Sequence, residues 1–99
     1  MPDLTIKYVE TEFKGRYRAT IKGIEGAGEL IVKKVTPTLI IADHTEVPET
    51  MAGHGVARAL VERLIADARE KGQRIVAFCP YVRAYAQKHA AEVSDAFQW

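Results

Sequence analysis

Hydrophobic and polar residues alternate with a period of two in the first half of the chain, which is typical of strands covered on one face. Four runs carry this pattern: residues 4–8, 16–22, 29–35 and 39–47. Turn-forming residues separate the last three runs, at residues 23–26 and 36–38. The pattern predicts four antiparallel strands joined as a meander.

The period changes to that of a helix after residue 50. One apolar stripe then recurs at helical spacing, at Val56, Ala57, Leu60, Val61, Leu64, Ile65 and Ala68. Gly72 lies just past the last turn and is a suitable helix end. The sequence therefore predicts an amphipathic helix between the fourth strand and the next element.

A short apolar run at residues 75–78, ended by Pro80, predicts a fifth strand that is buried on both faces in parallel pairing. A second helical pattern follows over residues 81–89, and in the ambiguous tail we expect Phe97 and Trp99 to pack. The predicted fold class is α/β (α+β). It comprises a four-stranded antiparallel meander, a helix, a parallel fifth strand and a C-terminal helix, in one domain over residues 1–99.

The amino-acid composition limits the classes of binding partner that we expect. The 99 residues are 47% hydrophobic and 27% charged with a formal net charge of +1, which predicts neither a nucleic-acid nor a membrane partner. One cysteine, Cys79, excludes an internal disulfide and a multi-cysteine zinc site, and the three histidines lack metal-ligand spacing. The short apolar runs and charged beginning argue against a signal peptide or membrane span, so we expect a cytoplasmic protein.

Residues 51–57 form a glycine-rich turn that follows a strand and opens a helix. Such a turn presents free backbone N–H groups and the positive end of a helix dipole, which together bind phosphate groups. Ligands of open sheets commonly bind beyond the carboxyl ends of parallel strands. We therefore expect the glycine turn, Glu46 and Cys79 to converge on a phosphorylated cofactor.

These residues resemble the GNAT-type acyl-CoA-dependent N-acetyltransferases, and more closely a subgroup of very short GNAT-like proteins. The resemblance rests on three segments, residues 43–47, 53–57 and 79–82, together with Tyr85 and residues 88–89. In the family motif an Arg or Gln precedes two glycines by fixed spacing. Gly53 and Gly55 match those glycines, whereas Thr50 stands where the family has Arg or Gln.

The resemblance implies that acetyl-CoA is the cofactor. The backbone N–H groups expected to bind its pyrophosphate are those of Ala52, Gly53, His54, Gly55, Val56 and Ala57. The resemblance also places the pantetheine arm against Thr45, Glu46 and Val47, with an N–H near Val47 polarising the thioester carbonyl. The short connection between residues 9 and 16 leaves no room for the two helices that help full-length members hold their acceptor, so the amine or protein acceptor stays unassigned.

Acetyl transfer needs a base for the acceptor and an acid for the CoA thiolate. Glu46 and His44 lie two apart on one strand, so both face the same side, and Glu46 is the preferred base. The alternative is a structural pair that fixes the loop. For the acid, the family pattern favours Tyr85 over Tyr81, although both fall on an apolar helix stripe where aromatics commonly serve the core.

Cys79 admits two interpretations. It could accept the acyl group as a thiolate activated by the following helix, or it could be a buried filler that contacts the cofactor.

A basic stripe on the second predicted strand, comprising Arg16, Arg18 and Lys22, could meet phosphates or an acidic substrate, although a solvated strand face is the commoner interpretation.

Three functions follow from these alternatives: an N-acetyltransferase, a non-catalytic CoA or acyl-CoA binding module, or an enzyme that passes the acyl group through cysteine. An exposed strand edge would also allow a homodimer.

Overall fold

A computed structural model describes residues 4–98, which form a five-stranded sheet in the order β1-β2-β3-β4-β5. The strands are β1 Leu4–Glu10, β2 Lys14–Ile21, β3 Ile24–Thr36, β4 Leu39–Glu46 and β5 Arg74–Ala77. The first four pair antiparallel, and β5 pairs parallel to β4. The predicted meander and parallel fifth strand are therefore confirmed.

Helix α1 connects β4 to β5, and two shorter helices follow β5. The helices are α1 Val56–Lys71, α2 Pro80–Lys88 and α3 Ala90–Val93. Short 3-10 helices precede α1 and follow α3, at Glu49–Met51 and Ser94–Ala96. Gly72 ends α1 in the left-handed conformation, as its position predicts, and its N–H closes the last turn on Ala68 and Arg69.

The core lies between one face of the sheet and the apolar stripe of α1. The sheet contributes Tyr17, Ala19, Ile21, Leu30, Val32, Ile40, Ala42 and Ile75, and the helices contribute the predicted stripe except Ala57, together with Val82 and Ala86. The opposite face, which we call the open face, is not covered by residues 4–98. The prediction that residues 75–78 are buried on both faces is therefore wrong: Phe78 is 64% exposed, since no second layer of helices packs there.

The β2–β3 turn is tighter than the sequence predicts. Strand β3 already begins at Ile24, which pairs with Ile21, so that only Lys22 and Gly23 form the turn. Gly26, expected in the turn, lies inside β3 at φ 101°, where the β2–β3 register shifts. A glycine tolerates this positive φ, so β3 can bend where it has more residues than β2 between the pairs Ile21–Ile24 and Ala19–Gly28.

A buried tyrosine joins α1 to the sheet. The Tyr17 hydroxyl donates to Asp67 Oδ2 at 2.8 Å, and Arg63 Nε donates to the same carboxylate at 3.2 Å. Burial, and then the hydrogen bond to Asp67, raise the pKa of Tyr17, so its phenol stays protonated. Helix α1 is thereby held at a fixed position over β2.

The C-terminal segment covers the outer edge of β5. Phe97 is fully buried and bridges to Ile75, whose carbonyl accepts the Gln98 N–H at 2.8 Å. Arg69 on α1 holds this segment through Asp95 at 2.8 Å. The packing expected of Phe97 is confirmed, whereas Trp99 lies outside the described residues. Within the described part of the chain, no helix is long and apolar enough to cross a membrane.

Candidate cofactor cleft and active site

Strands β4 and β5 separate at their carboxyl ends. Their last paired residues are Ala42 and Ala77, and after β5 the backbone N–H of Cys79 still donates to the Ala42 carbonyl at 2.8 Å. Beyond this point β4 continues to Glu46, paired only with β3. The backbone of β4 from residue 43 onward therefore borders a gap between the two strands.

A β-bulge sets which way the side chains at this gap point. Ile31 pairs with His44 but the next residue, Val32, pairs with Ala42, so Asp43 is an extra residue in β4. Beyond the bulge, Thr45 lies opposite the buried Leu30 and shares its core face. Without the extra residue, His44 would face the core and Thr45 would face solvent.

His44 and Glu46 share the open face. His44 Nε2 lies 3.6 Å from Glu46 Oε2, and the two side chains are 57% and 74% exposed. Their common side agrees with the spacing in the sequence. The expected convergence is only partial, however, because Glu46 and Cys79 approach the gap from opposite faces of the sheet.

Cys79 lies on the core face at the start of α2. Its side chain is buried, and its thiol donates to Thr45 Oγ1 at 3.4 Å across the gap. Pro80 then occupies the first helical position, where a missing N–H costs nothing. The Cys79–Thr45 contact thus joins the end of β4 to the start of α2 at the base of the gap.

The glycine turn leaves several N–H groups without acceptors. Gly53 and Gly55 have φ of 82° and 70°, which favours glycine, and a Cβ added at either would meet no atom within 4 Å. The N–H groups of Ala52 and His54 already donate to Glu49 and Met51. Within residues 4–98 the free donors are those of Gly53, Gly55, Val56, Ala57 and Arg58, since the first helical bond runs from Ala59 to Gly55.

These donors line a cleft of about 290 Å³ at the N-terminus of α1. Val47 at the end of β4, Arg58 in the first turn of α1 and Tyr81 in the first turn of α2 also line it. Tyr81 is 40% exposed, so its ring borders solvent as well as the cleft. The cleft therefore adjoins the carboxyl end of β4 beside the gap.

Tyr85, which the family pattern favours, lies elsewhere. It lines a separate groove with Glu62 and Glu92, and its ring packs on His89 with centroids 4.4 Å apart. Burial, followed by the charge of Glu62, raises the pKa of Tyr85. One helical turn separates the two tyrosines, and only Tyr81 lines the cleft that the glycine turn forms.

Two residues to which the sequence analysis assigned no structural role hold the cleft in place. Gly28 on β3 lies beneath the start of α1, where an added Cβ would come within 2.7 Å of Val56 and 3.4 Å of Val47. Thr50, in the position of the family's Arg or Gln, donates its hydroxyl to the Glu25 carbonyl at 2.8 Å. A glycine at a buried strand position signals such close approach, whereas Thr50 gives no comparable signal.

Across the residues described, no three His, Cys, Asp or Glu side chains are grouped as metal ligands. The arrangement instead combines unpaired N–H donors at a helix N-terminus, an unpaired strand edge and the His44–Glu46 pair on the open face.

The comparisons with known proteins agree with this arrangement. The model of a GCN5-related N-acetyltransferase family matches residues 16–96, which include the gap, the glycine turn and both tyrosines. No curated protein sequence matches the chain significantly. On the family match and the mixed five-stranded sheet, this chain belongs to the GCN5-related N-acetyltransferases.

Proposed function

We propose that the protein transfers the acetyl group of acetyl-CoA to an amine. The observation that carries this proposal is the row of unpaired N–H groups at the N-terminus of α1, beside the separation of β4 from β5. When bound, acetyl-CoA supplies an acyl group activated as a thioester. The residues of this chain then bind it, orient it and move the protons.

The cleft fits the pyrophosphate. Gly53, Gly55, Val56 and Ala57 offer free N–H donors, and the space above the two glycines is open. The helix dipole adds about half a positive charge at the same place. Of the six donors that the resemblance implies, Ala52 and His54 instead hold the turn together.

Arg58 supplies the only full positive charge among the residues lining the cleft. Its Nε lies 3.5 Å from Glu62, and its side chain is 63% exposed, so turning toward a phosphate replaces an exposed ion pair that contributes little to stability. Arg58 therefore offers a cation where Thr50 replaces the basic or amide residue of the family motif.

The edge of β4 holds the pantetheine arm and the thioester. Residues 45–47 run beyond the last β4–β5 pair, and their backbone groups on the β5 side meet no strand there. We assign Thr45, Glu46 and Val47 to this contact. The Val47 N–H polarises the thioester carbonyl, which requires no movement of the backbone during reaction.

Two side chains exchange protons with the reactants. Glu46, paired with His44 on the open face, takes a proton from the attacking amine. Tyr81, which lines the cleft together with Val47, donates a proton to the departing thiolate. The structure favours Tyr81 over Tyr85 for this step because Tyr85 faces the groove beside Glu62.

We assign Cys79 a positioning role in which its side chain contacts the cofactor arm without accepting the acyl group. Its thiol is buried and donates to Thr45, and no basic side chain of the described residues is bonded to it.

Replacing Cys79 with Ala should therefore leave the rate of acetyl transfer within about threefold of normal, as expected for the loss of one weak contact. Mass spectrometry after incubation with acetyl-CoA should find no acetyl group on Cys79, and an acetylated Cys79 that passes its label to an amine would reverse this assignment.

A CoA-binding module without turnover is the second candidate. The exposure of the His44 and Glu46 side chains, 57% and 74%, favours it, because acid–base groups in most active sites are shielded from water. The two functions differ in thiol release from acetyl-CoA in the presence of amines. Release that requires both an amine and Glu46, with the acetyl group recovered on the amine, supports the transferase; tight CoA binding without such release supports the module.

A further inference from the structure

We propose that the open face of the sheet is the acceptor site, and that the acceptor is an extended polypeptide segment with acidic side chains three or four residues from the lysine that is acetylated. This inference rests on the proposed function and specifies its acceptor. The open face carries His44 and Glu46, which face away from the core, so an amine that reaches Glu46 must approach across this face.

The strand register arranges the open face in rows that lead to the acid–base pair. One row runs from Val9 on β1 through Arg16 and Ile31 to His44 on β4. The adjacent row runs from Lys7 through Arg18 and Glu29 to Glu46. Side chains that occupy paired positions in neighbouring strands point to the same face, so each row is continuous.

Charge is divided along these rows. The β1–β3 part of the face holds five cations: Lys7, Lys14, Arg16, Arg18 and Lys33. Arg16 and Arg18 share one carboxylate, Glu29, at 3.9 Å each, and the described residues give Lys7 and Lys14 no ion pair. This part of the face therefore keeps an excess of positive charge, while Glu46 leaves the β4 end acidic.

A depression of about 400 Å³ lies at the cationic end of the first row. Val9 and Ile31 give it an apolar lining, and Lys14 and Arg16 border it with positive charge. Glu10 lines it too, but its carboxylate is already paired with Lys34 at 3.0 Å and accepts the Tyr8 hydroxyl at 2.7 Å. A Glu or Asp side chain fits this combination, since its methylene groups would cover the valine and isoleucine while its carboxylate meets the two cations.

The distance across the sheet sets the spacing in the acceptor. Neighbouring strands lie about 4.8 Å apart, so Arg16 is about 10 Å and Val9 about 14 Å from the position of His44. An extended chain advances about 3.3 Å per residue, so three or four residues separate a lysine over Glu46 from a side chain over the depression.

A small amino acid cannot fill both positions, because its amine and carboxylate are too close together. The open face is also a sheet surface rather than an enclosed pocket, whereas sites for small molecules are concave. A polypeptide gains contact area by lying along a row, and its alternate side chains reach the sheet. Charge complementarity then selects an acidic segment with one reactive lysine.

The test compares two short synthetic peptides that differ only in charge. One carries a lysine with glutamates three and four residues away, and the other has glutamines in place of the glutamates. Calorimetric titration of the CoA-saturated protein should give about tenfold tighter binding for the acidic peptide, as expected for two or three exposed ion pairs. Titration of CoA alone tests the proposed function separately, because it needs no acceptor.

Variants locate the effect on the open face. Lys14→Glu with Arg16→Glu should abolish the preference for the acidic peptide and favour a third peptide with lysines in place of the glutamates. A matched pair on the helical side, Arg83→Glu with Lys88→Glu, lies on exposed positions of α2, changes the net charge equally and should leave the preference intact. Both doubles should bind CoA as the unaltered protein does.

Four results would overturn the inference. Equal binding of the acidic and neutral peptides, or loss of the preference in the helical-side pair, would remove the role of the open face. Self-association of the protein that the Lys14 and Arg16 changes abolish would assign the face to a second copy of the chain. Failure to bind CoA would overturn the proposed function itself and this inference with it.

Discussion

Glu46 and Cys79 are close in the fold but serve different faces of the sheet. One extra residue, Asp43, reverses the direction of every side chain that follows it in β4. As a result, Thr45 contacts the buried thiol, and His44 and Glu46 face solvent. In the proposed mechanism, this division separates the group that contacts the cofactor arm from the groups that take the acceptor's proton.

Replacing Glu46 with Gln removes the base while keeping the shape of the side chain. We expect turnover of acetyl-CoA with an amine to fall by about a hundredfold, the lower end of what a general base contributes. CoA affinity should stay unchanged, because the side chain lies on the open face. The matched control is Glu49→Gln, which changes another exposed carboxylate three residues away and should retain turnover; equal turnover in both variants would remove Glu46 from the mechanism.

The two tyrosines of α2 give a second comparison. Tyr81→Phe should lower turnover by about tenfold or more, since it removes a proton donor from the cleft. Tyr85→Phe should have little effect, because Tyr85 does not line the cleft and its hydroxyl interacts with Arg58 instead. Steady-state thiol release measures both. A larger loss of turnover in Tyr85→Phe than in Tyr81→Phe would show that Tyr85 is the acid, as the family pattern implies, and that lining the cleft does not identify it.

The sequence predicts which residues gather at this site better than how they point. Spacing of two residues places His44 and Glu46 on one side of β4, and the glycine pattern places Gly53 and Gly55 at a helix N-terminus. Nothing in residues 39–47 marks the bulge, because Asp43 is as compatible with a regular strand as with an extra residue. One inserted residue changes the face of every side chain that follows it in the strand. The bulge therefore decides which side chains reach the open face, although it leaves no mark in the sequence pattern.

Among the strands and helices, the position of α1 depends on how closely it approaches β3. Gly28 allows Val56 and Val47 to pack against the strand, and the Tyr17–Asp67 hydrogen bond fixes the other half of the helix. The N-terminus of α1 therefore lies at a set distance from the end of β4. The cleft exists because these two contacts hold the helix and the strand together.

Replacing Gly28 with Ala should test this coupling. Its Cβ would lie 2.7 Å from Val56, so the start of α1 must shift, and overpacking of this kind costs about 1–3 kcal/mol of unfolding free energy. Urea denaturation measures that loss, and calorimetry should show weaker CoA binding as well. A matched substitution at an exposed glycine is Gly23→Ala, which strains the β2–β3 turn but should leave CoA affinity intact.

The elements themselves follow from the sequence with few errors. The alternation of hydrophobic and polar residues predicts β1 to β4, the helical spacing of apolar residues predicts α1, and Gly72 predicts where α1 ends. The turn before β3 was expected four residues long because Gly23 and Gly26 bracket it, yet Gly26 serves the register shift inside the strand. A glycine with positive φ has the same sequence signature in a turn and in an irregular strand, so the pattern alone could not distinguish them.

Within residues 4–98, the sheet has helices on one face and none on the other. This explains why β5 is only partly buried and why Val9 and Phe78 are exposed, at 65% and 64%. The sequence contains the cause, since too few residues separate β1 from β2 to form a helix there. An open face beside the acid–base pair leaves the acceptor side accessible to a large partner, whereas the cofactor side is shaped by α1 and α2.

The decisive measurement is calorimetric titration of acetyl-CoA and CoA into the protein and into two variants of α1. Ala57→Glu places a carboxylate among the free N–H donors, where it neutralises the helix N-terminus and repels a pyrophosphate, while a Glu in the first turn keeps the helix stable. Ala66→Glu puts the same charge on an exposed position of the same helix, away from the cleft.

If the glycine turn binds the cofactor, the unaltered protein and Ala66→Glu will bind both ligands alike, and Ala57→Glu will bind at least tenfold more weakly. Absence of binding by the unaltered protein, or equal affinities in all three proteins, would contradict the assignment of the cleft and with it the proposed acetyl transfer.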